Sequence, residues 1–194
     1  MPVKPLIVCI TGLPGSGKTT VAEALRGLGF SVISMGDVVR DEARKRGLEL
    51  NDSNLGKVML ELRNRYGTDA IAVYIGEIIK ASNSDGRYYA IDGLRSIGEA
   101  DRLREYGYVK ILAIHAPKER RFNLLVRRGR SDAPLSMKEF LARDRRELDV
   151  GIGEAIAYSD EIISNNGSRE ELVDKALNVV KYWIDEYLSS GKYE

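Results

Sequence analysis

A glycine-rich turn between an apolar segment and a helical pattern constrains the fold of this chain more than any other feature. The apolar segment Leu6–Thr11 has the composition of a buried strand, and the helical pattern Gly17–Leu28 begins where the turn ends. Glycine can adopt positive φ without strain, so Gly12, Gly15 and Gly17 would let the main chain curl. The order of these segments predicts a buried strand, a tightly curled loop and a helix that follow one another directly.

The curled loop also has the side chains of a polyphosphate site. Its pattern, G-x-x-x-x-G-K-[ST], predicts that main-chain N–H groups and the positive end of the following helix point at anionic oxygens. Lys18 is expected to reach the β- and γ-phosphates of a nucleoside triphosphate, and Thr19 to offer its hydroxyl to Mg²⁺. A chance glycine-rich turn is the alternative, and the strand and helix on either side argue against it. The predicted ATP-binding residues are Gly12, Leu13, Pro14, Gly15, Ser16, Gly17, Lys18, Thr19 and Thr20.

Apolar segments and helical patterns alternate along the rest of the chain. Further strands are predicted at Ser31–Ser34, Tyr88–Asp92, Val109–Ala116 and Glu161–Ser164. This alternation predicts a three-layer α/β fold, in which helices cover both faces of a five-stranded parallel sheet. Ligands of such sheets bind beyond the carboxyl ends of the strands. The helical patterns cover Gly17–Leu28, Gly36–Arg46, Ser53–Arg65, Asp69–Ala81, Ile97–Tyr106, Lys118–Arg128, Ser136–Glu147 and Arg169–Leu188.

Length and composition exclude several other classes of protein. A chain of 194 residues with 43% hydrophobic content suits a single domain over residues 1–194. The formal net charge is +1, so no nucleic-acid partner is expected. Cys9 is the only cysteine, which excludes an intrachain disulfide and a cysteine-based zinc site. No apolar run has the length of a membrane span and no signal-peptide layout is present, so we expect a cytoplasmic protein without a membrane partner.

The charged fraction of 30%, together with the absence of glutamine, is typical of thermophilic proteins. Ion-pair networks stabilise proteins more at high temperature, and thermolabile amides are avoided there. Lineage bias in composition is the alternative explanation, so a thermophilic source stays a prediction.

Two motifs after predicted strands resemble those of adenylate kinase and its relatives among the P-loop nucleotide kinases. Ser34-Met-Gly36-Asp37-Val-Val-Arg40 is similar to the Ser-Thr-Gly-Asp-x-x-Arg of that family, and Asp92-Gly93-Leu-Arg95 to its Asp-Gly-Phe-Pro-Arg. The resemblance implies that Arg40 and Arg95 hold the phosphate of an acceptor nucleotide. A guanidinium binds phosphate through two parallel hydrogen bonds, which fixes the orientation of the phosphate. The implied acceptor-binding residues are Gly36, Asp37, Arg40, Gly93, Arg95 and Glu99.

Three residues near the third strand carry further expectations. Gly93 would let the acceptor base approach the main chain, and Asp92 could hold a water of the Mg²⁺ shell. Glu99 stands where the resemblance places a glutamine that reads adenine. An ionised carboxylate only accepts hydrogen bonds, so Glu99 would suit guanine better than adenine. The alternative is that Glu99 is a solvated helix residue.

An arginine-rich segment resembles the lid of short adenylate kinases. Asn123-Leu-Leu-Val-Arg127-Arg128-Gly-Arg130 is followed by Arg143-Asp-Arg-Arg-Glu, like a lid entry and a returning lid helix. The resemblance implies a lid over approximately residues 128–148 and an acceptor-binding insertion over approximately 36–85. Arg128 is the candidate for stacking on the donor base, and Arg130 and Arg143 for contact with the migrating phosphoryl group. With Lys18 they complete the predicted catalytic set.

The segment around Asn165 and Gly167 is similar to the end of dephospho-coenzyme A kinases, where an Asn-x-Gly loop lies near the donor adenine. A structural turn is the alternative. Together the motifs predict an enzyme that transfers the γ-phosphoryl group of Mg·ATP to a nucleoside monophosphate or a related small acceptor. The alternative function is a P-loop ATPase or nucleotide-sensing module that phosphorylates no acceptor.

Lys18→Ala provides the first test of the polyphosphate site. Because the ammonium is expected to neutralise charge that develops on the phosphates, its loss should lower turnover of Mg·ATP by roughly 10²–10³-fold or more. Steady-state release of labelled phosphate or of a labelled product measures this change. Turnover equal to that of the wild type would contradict the assignment of the loop.

Overall fold

Five parallel strands form the centre of the structure, a computed structural model that describes residues 4–82 and 87–189. Their order in the sheet is β2-β3-β1-β4-β5, which places the first strand in the middle. The fold class predicted from the sequence is therefore confirmed. The strands are β1 Leu6–Thr11, β2 Ser31–Ser34, β3 Tyr88–Leu94, β4 Tyr108–His115 and β5 Glu161–Ser164.

Helices connect the strands and cover both faces of the sheet. Each predicted helical pattern corresponds to a helix, although Gly17–Leu28 divides into α1 and a 3₁₀ turn at Arg26–Leu28. The sequence did not predict α8, which has six residues and is too short for a periodic pattern. The helices are α1 Lys18–Leu25, α2 Met35–Lys45, α3 Asp52–Tyr66, α4 Ala70–Ala81, α5 Ile97–Arg104, α6 Lys118–Arg128, α7 Met137–Val150, α8 Ile152–Ala157 and α9 Arg169–Ser189.

The central strand is buried on both sides, which explains its continuous apolar sequence. All six residues of β1 are fully buried. Ile7 and Cys9 face a core built with α2, α3, α4 and α5, whereas Leu6, Val8 and Ile10 face a core built with α1 and α9. Burying each large aliphatic side chain contributes about 1.5–3 kcal/mol, so this strand anchors both layers. No helix among the described residues is long and apolar enough to cross a membrane.

Strand register brings the end of β3 beside the loop that follows β1. Ile10 pairs with Asp92, and the register then shifts so that Thr11 pairs with Leu94. The residue that is skipped, Gly93, has φ +101°, a value that strongly favours glycine. The Thr11 hydroxyl donates to the Leu94 carbonyl at 2.8 Å and closes this irregularity. β3 therefore continues two residues beyond the predicted end at Asp92.

Two groups of helices contain the segments that the sequence predicts as an acceptor-binding insertion and a lid. The first group, α2 to α4, lies between β2 and β3 within the predicted acceptor-binding insertion. Residues 83–85, at the end of that predicted insertion, lie outside the described residues. The second group, α6 and α7, follows β4 and includes the predicted lid. Side chains cap three of these helices: the Ser34, Asn51 and Ser136 oxygens accept from main-chain N–H groups of α2, α3 and α7.

A buried ion pair attaches the α6–α7 segment to the loop after β1. The Arg121 guanidinium of α6 donates to both carboxylate oxygens of Asp144 of α7, at 2.8 and 2.6 Å. It also donates to the Pro14 carbonyl at 3.0 Å and lies 4.8 Å above the Phe140 ring. Both charged side chains are largely buried, so each needs the other to offset its loss of hydration.

Asp144→Ala should therefore destabilise the protein strongly, because it leaves the Arg121 charge buried without its partner. We expect the free energy of unfolding, measured by urea denaturation, to fall by about 3–5 kcal/mol. Asp149→Ala is the matched control on the same helix, since the Asp149–Arg145 pair is exposed. That control should change the free energy by less than about 1 kcal/mol. Equal effects of the two substitutions would contradict this role of the buried pair.

Candidate active site

The loop between β1 and α1 depends on glycine at two positions where it touches other parts of the chain. Gly12 has φ +139°, and a Cβ atom there would lie 2.2 Å from the Ile114 carbonyl oxygen. Gly15 has φ +80°, and its Cβ would lie 2.5 Å from the Arg121 carbonyl oxygen. Both the φ values and these close approaches exclude a side chain, so the loop can curl tightly against β4 and α6 only with glycine.

Lys18, the first residue of α1, folds its ammonium back over the loop. The Nζ donates to the carbonyl oxygen of Gly12 at 2.5 Å and to that of Leu13 at 3.2 Å. Burial lowers the pKa of Lys18 to about 8, although the nearby charges of Asp92 and Glu147 oppose this shift. A buried ammonium held by only two neutral carbonyls has a strong electrostatic preference for an anion beside it.

Asp92 and Thr19 meet beside the loop. The Thr19 hydroxyl donates to Asp92 Oδ2 at 2.8 Å, although the two residues are 73 positions apart in the sequence. Asp92 is only 8% exposed. A hydroxyl and a carboxylate are hard oxygen donors of the type that Mg²⁺ prefers, so this pair fits a magnesium ion with further water or phosphate ligands. Residues 4–82 and 87–189 contain no cluster of three or more His, Cys, Asp or Glu side chains that could hold a metal.

A cavity of about 240 Å³ lies above the carboxyl ends of β1, β2 and β3. It brings together most of the predicted site residues, whether these were assigned to ATP, the acceptor or catalysis. Those on its walls are Gly12, Pro14, Gly15, Lys18, Thr19, Gly36, Asp37, Arg40, Asp92, Gly93, Arg95, Arg128, Arg130 and Arg143. Leu13, Ser16, Gly17, Thr20 and Glu99 do not line it. The cavity is thus a single site at the strand ends, the place expected for a ligand of this fold.

A smaller cavity of about 50 Å³ adjoins the first between α2, α3 and α7. The two cavities share a polar wall formed by Gly36, Arg40, Arg95, Asp132, Arg143 and Glu147. Val39, Leu55 and Met59 give the smaller cavity an apolar side. We call the shared wall and the smaller cavity the acceptor end, and the region around Lys18 and Thr19 the loop end.

Arginines at the acceptor end are each paired with a carboxylate. Arg40 Nη1 lies 2.7 Å from Asp37 Oδ1, and Arg95 Nε lies 2.7 Å from Glu147 Oε2. The third, Arg143, contacts Asp132 at 3.0 Å and Asp52 at 3.3 Å.

Arg128 and Arg130 are different, because neither has a carboxylate within 4 Å among the residues that the structure describes. Arg128 Nη2 approaches the Thr19 hydroxyl at 3.5 Å. Burial, with the adjacent positive charge of Arg130, lowers the pKa of Arg128. The structure thus directs Arg128 toward the loop end, and its predicted stacking on the donor base stays a prediction.

The predicted role of Glu99 is contradicted by its surroundings. Glu99 is fully buried, one carboxylate oxygen pairs with Arg63 and the other accepts from the Arg95 main-chain N–H at 2.8 Å. It can therefore neither read an acceptor base nor act as a solvated helix residue. Its partner Arg63 on α3 is likewise buried. Their ion pair joins α3 to α5 below the cavity and supports the main chain of Arg95.

Glu147 is the main site residue that the sequence analysis missed. It is buried, lines both cavities and pairs with Arg95. Burial tends to raise the pKa of Glu147, but the charges of Arg95, Lys18 and Arg143 outweigh it and hold that pKa below its usual range. Glu147 lies four residues after Arg143, so a helical reading places both on one face. That spacing was the one indication in the sequence that Glu147 belongs to the site, and the neighbouring charged residues of α7 obscured it.

Asn165 attaches the end of β5 to the glycine-rich loop. Its amide nitrogen donates to the Ser16 carbonyl at 2.8 Å, and its amide oxygen accepts from Arg120 at 3.3 Å. A Cβ atom on Gly17 would lie 2.8 Å from the same amide nitrogen. The turn after β5 therefore supports the loop through a buried hydrogen bond, which agrees with the structural alternative considered for this segment.

Comparisons with known proteins place this site in a family. A family model described as an AAA domain matches residues 11–140. The UPF0200 protein of Thermococcus kodakarensis is 40% identical over 187 residues, which cover 95% of this chain and 99% of that protein. The UPF0200 protein of Methanocaldococcus jannaschii is 36% identical over 188 residues, covering 97% of this chain and 95% of that protein.

Solved structures with similar folds include P-loop kinases. TT1252 from Thermus thermophilus has a TM-score of 0.64 at 24% identity, covering 92% of this chain and 97% of its own. A gluconokinase from Sinorhizobium meliloti has a TM-score of 0.62 at 17% identity, with 98% and 99% coverage. A shikimate kinase from Acinetobacter baumannii has a TM-score of 0.56 at 17% identity, with 94% of both chains covered. These similarities establish the P-loop kinase fold and leave the substrate open.

Proposed function

The chain belongs to the UPF0200 family and has a P-loop kinase fold, and from this premise we propose that it transfers the γ-phosphoryl group of Mg·ATP to a small acceptor. The observation that carries this proposal is a pair of adjoining cavities whose two ends differ chemically. Lys18 and the Thr19–Asp92 pair lie at one end, and Arg40 and Arg95 lie at the other. A nucleotidase that only releases phosphate has no use for the second set of residues.

The loop end is suited to the triphosphate. Its curled main chain and the N-terminus of α1 would direct N–H groups at phosphate oxygens, and Lys18 would move from the loop carbonyls to the β- and γ-phosphates. Thr19 and Asp92 would hold Mg²⁺, which supplies charge neutralisation between the phosphates when bound. Arg128 and Arg130, which lack carboxylate partners among the described residues, would neutralise the charge of the migrating group.

The acceptor end would position the acceptor for in-line attack. Phosphoryl transfer needs little covalent chemistry from the protein, so orientation and charge account for most of the rate. Arg40 approaches from α2, Arg95 from the end of β3 and Arg143 from α7. The motif resemblance favoured a nucleoside monophosphate as acceptor, but the burial of Glu99 removes the basis for choosing guanine over adenine.

Transfer can be tested directly with γ-labelled Mg·ATP. The purified protein would be incubated with AMP, GMP, CMP, UMP, dephospho-coenzyme A and a set of compact hydroxyl compounds. We expect a labelled product with at least one acceptor, and none with Lys18→Ala. Release of labelled phosphate without any labelled acceptor would support the alternative, an ATPase or nucleotide-sensing module.

Asp92→Asn tests the proposed magnesium site. The substitution keeps the hydrogen bond acceptor for Thr19 but removes the charge, so we expect the Mg²⁺ concentration for half-maximal turnover to rise about 10–100-fold. A magnesium titration at fixed ATP measures this shift. The control is Asp101→Asn, which removes an exposed carboxylate on α5 and should leave the titration unchanged. An unaltered magnesium requirement in Asp92→Asn would argue against this assignment.

A further inference from the structure

The two ends of the cavity differ in charge balance. At the acceptor end four arginines face four carboxylates, so positive and negative charges match one to one. The pairs are Arg40–Asp37, Arg95–Glu147, Arg143–Asp132 and Arg146–Asp52. At the loop end, the single carboxylate of Asp92 faces three positive charges, those of Lys18, Arg128 and Arg130. Arg128 and Arg130 have no carboxylate within 4 Å among the described residues, and Lys18 donates its hydrogen bonds to main-chain carbonyls. The excess positive charge therefore lies where the triphosphate is proposed to bind.

A phosphate dianion would bind weakly at the acceptor end. To contact Arg95 through its Nε, it would have to displace Glu147, whose carboxylate already lies 2.7 Å from that atom. The displaced carboxylate would remain buried beside the incoming anion, and like charges at such a separation repel strongly. A neutral hydroxyl meets no such barrier, since it can donate to a carboxylate and accept from a guanidinium at the same time.

The space at this end also restricts the acceptor. The smaller cavity has a volume of about 50 Å³, much less than the 240 Å³ of the cavity that it adjoins. Arg146 lines this cavity and packs against α3, where a Cβ atom on Gly56 would lie only 2.7 Å from Arg146 Nη1. Arg146 is itself held by Asp52 at 2.9 Å. A nucleobase would have to break this contact to enter between α3 and α7, whereas a compact acceptor would not.

Glu147 occupies the junction between the two ends. It lines both cavities, and the charges that act on it include those of Lys18 at the loop end and of Arg95 and Arg143 at the acceptor end. Its side chain is only 9% exposed, so its position is well defined by the helix and by the ion pair with Arg95. A hydroxyl placed against this carboxylate would lie between the acceptor pocket and the proposed site of the γ-phosphate.

We propose that the acceptor is a compact molecule that reacts through a hydroxyl group, and that Glu147 binds this hydroxyl and takes its proton. This inference rests on the proposed function and names the acceptor class. The acceptor oxygen forms a bond to the γ-phosphorus while the bond from that phosphorus to the bridging oxygen breaks, and its electron pair leaves with ADP. The hydroxyl proton passes to the Glu147 carboxylate. Carboxylates accept the proton in the same way in other phosphoryl transfers to hydroxyl groups.

Glu147→Gln distinguishes a hydroxyl site from a phosphate site, because the two alternatives predict opposite effects. With the loop end filled by Mg·AMPPNP, a non-hydrolysable ATP analogue, calorimetric titration would measure the binding of inorganic phosphate. Removal of the charge frees Arg95, so we expect phosphate to bind at least tenfold more tightly to this variant than to the wild type. Glu147→Asp, which keeps a carboxylate, should bind phosphate like the wild type, and so should the control Asp149→Asn.

The proposal would be overturned if Glu147→Gln bound phosphate no more tightly than the wild type does. If the Glu147 carboxylate excludes phosphate, removing its charge must strengthen phosphate binding. A second arm needs no variant: the wild type should transfer no label from ATP to AMP, GMP, CMP or UMP. Transfer to any of them would likewise overturn it while leaving the proposed phosphotransfer intact. Failure of the wild type to bind Mg·AMPPNP would instead contradict the proposed function.

Discussion

The pairing of β1 with a strand on each side is the constraint on which the rest of the structure depends. Because β1 is buried on both faces and hydrogen-bonded on both edges, the loop that leaves it has a fixed starting point and direction. The same register places Asp92 beside Thr19, and the skipped residue Gly93 opens the main chain toward the cavity. The chemistry of the site is thus a consequence of sheet packing, since no local sequence pattern could bring Asp92 to Thr19.

Buried ion pairs hold the helices in position around the sheet. Arg121–Asp144 attaches the α6–α7 segment to the loop, and Arg63–Glu99 joins α3 to α5. Pairs of this kind add little net stability compared with apolar contacts, but they are costly to break on one side. They therefore fix the position of each helix group relative to the sheet. The positions of the helices in turn determine where the arginines lie on the cavity wall.

The sequence predicted the sheet more accurately than the site. Leu6–Thr11 has the predicted bounds because its continuous apolar run reflects complete burial. The edge strands Ser31–Ser34 and Glu161–Ser164 also have the predicted bounds, although most of their residues are not buried. The loop motif was recognisable because its glycines are required by local geometry. Glu99 and Glu147 were not predictable in this way. Both belong to helices rich in charge, and only the packing of distant helices decides which carboxylate is buried, paired or turned toward a ligand.

The distribution of charge also explains how one cavity could separate two substrates that differ in charge. A site with uniform positive charge would attract a second triphosphate or free phosphate as strongly as an acceptor. Here the carboxylates of Asp37, Asp132 and Glu147 neutralise the acceptor end, and the positive excess stays near Lys18, Arg128 and Arg130. In the proposed enzyme, selectivity would then arise from repulsion at the wrong position as well as attraction at the right one. The same carboxylates hold their arginines in place before any ligand arrives, which lowers the entropic cost of organising the site.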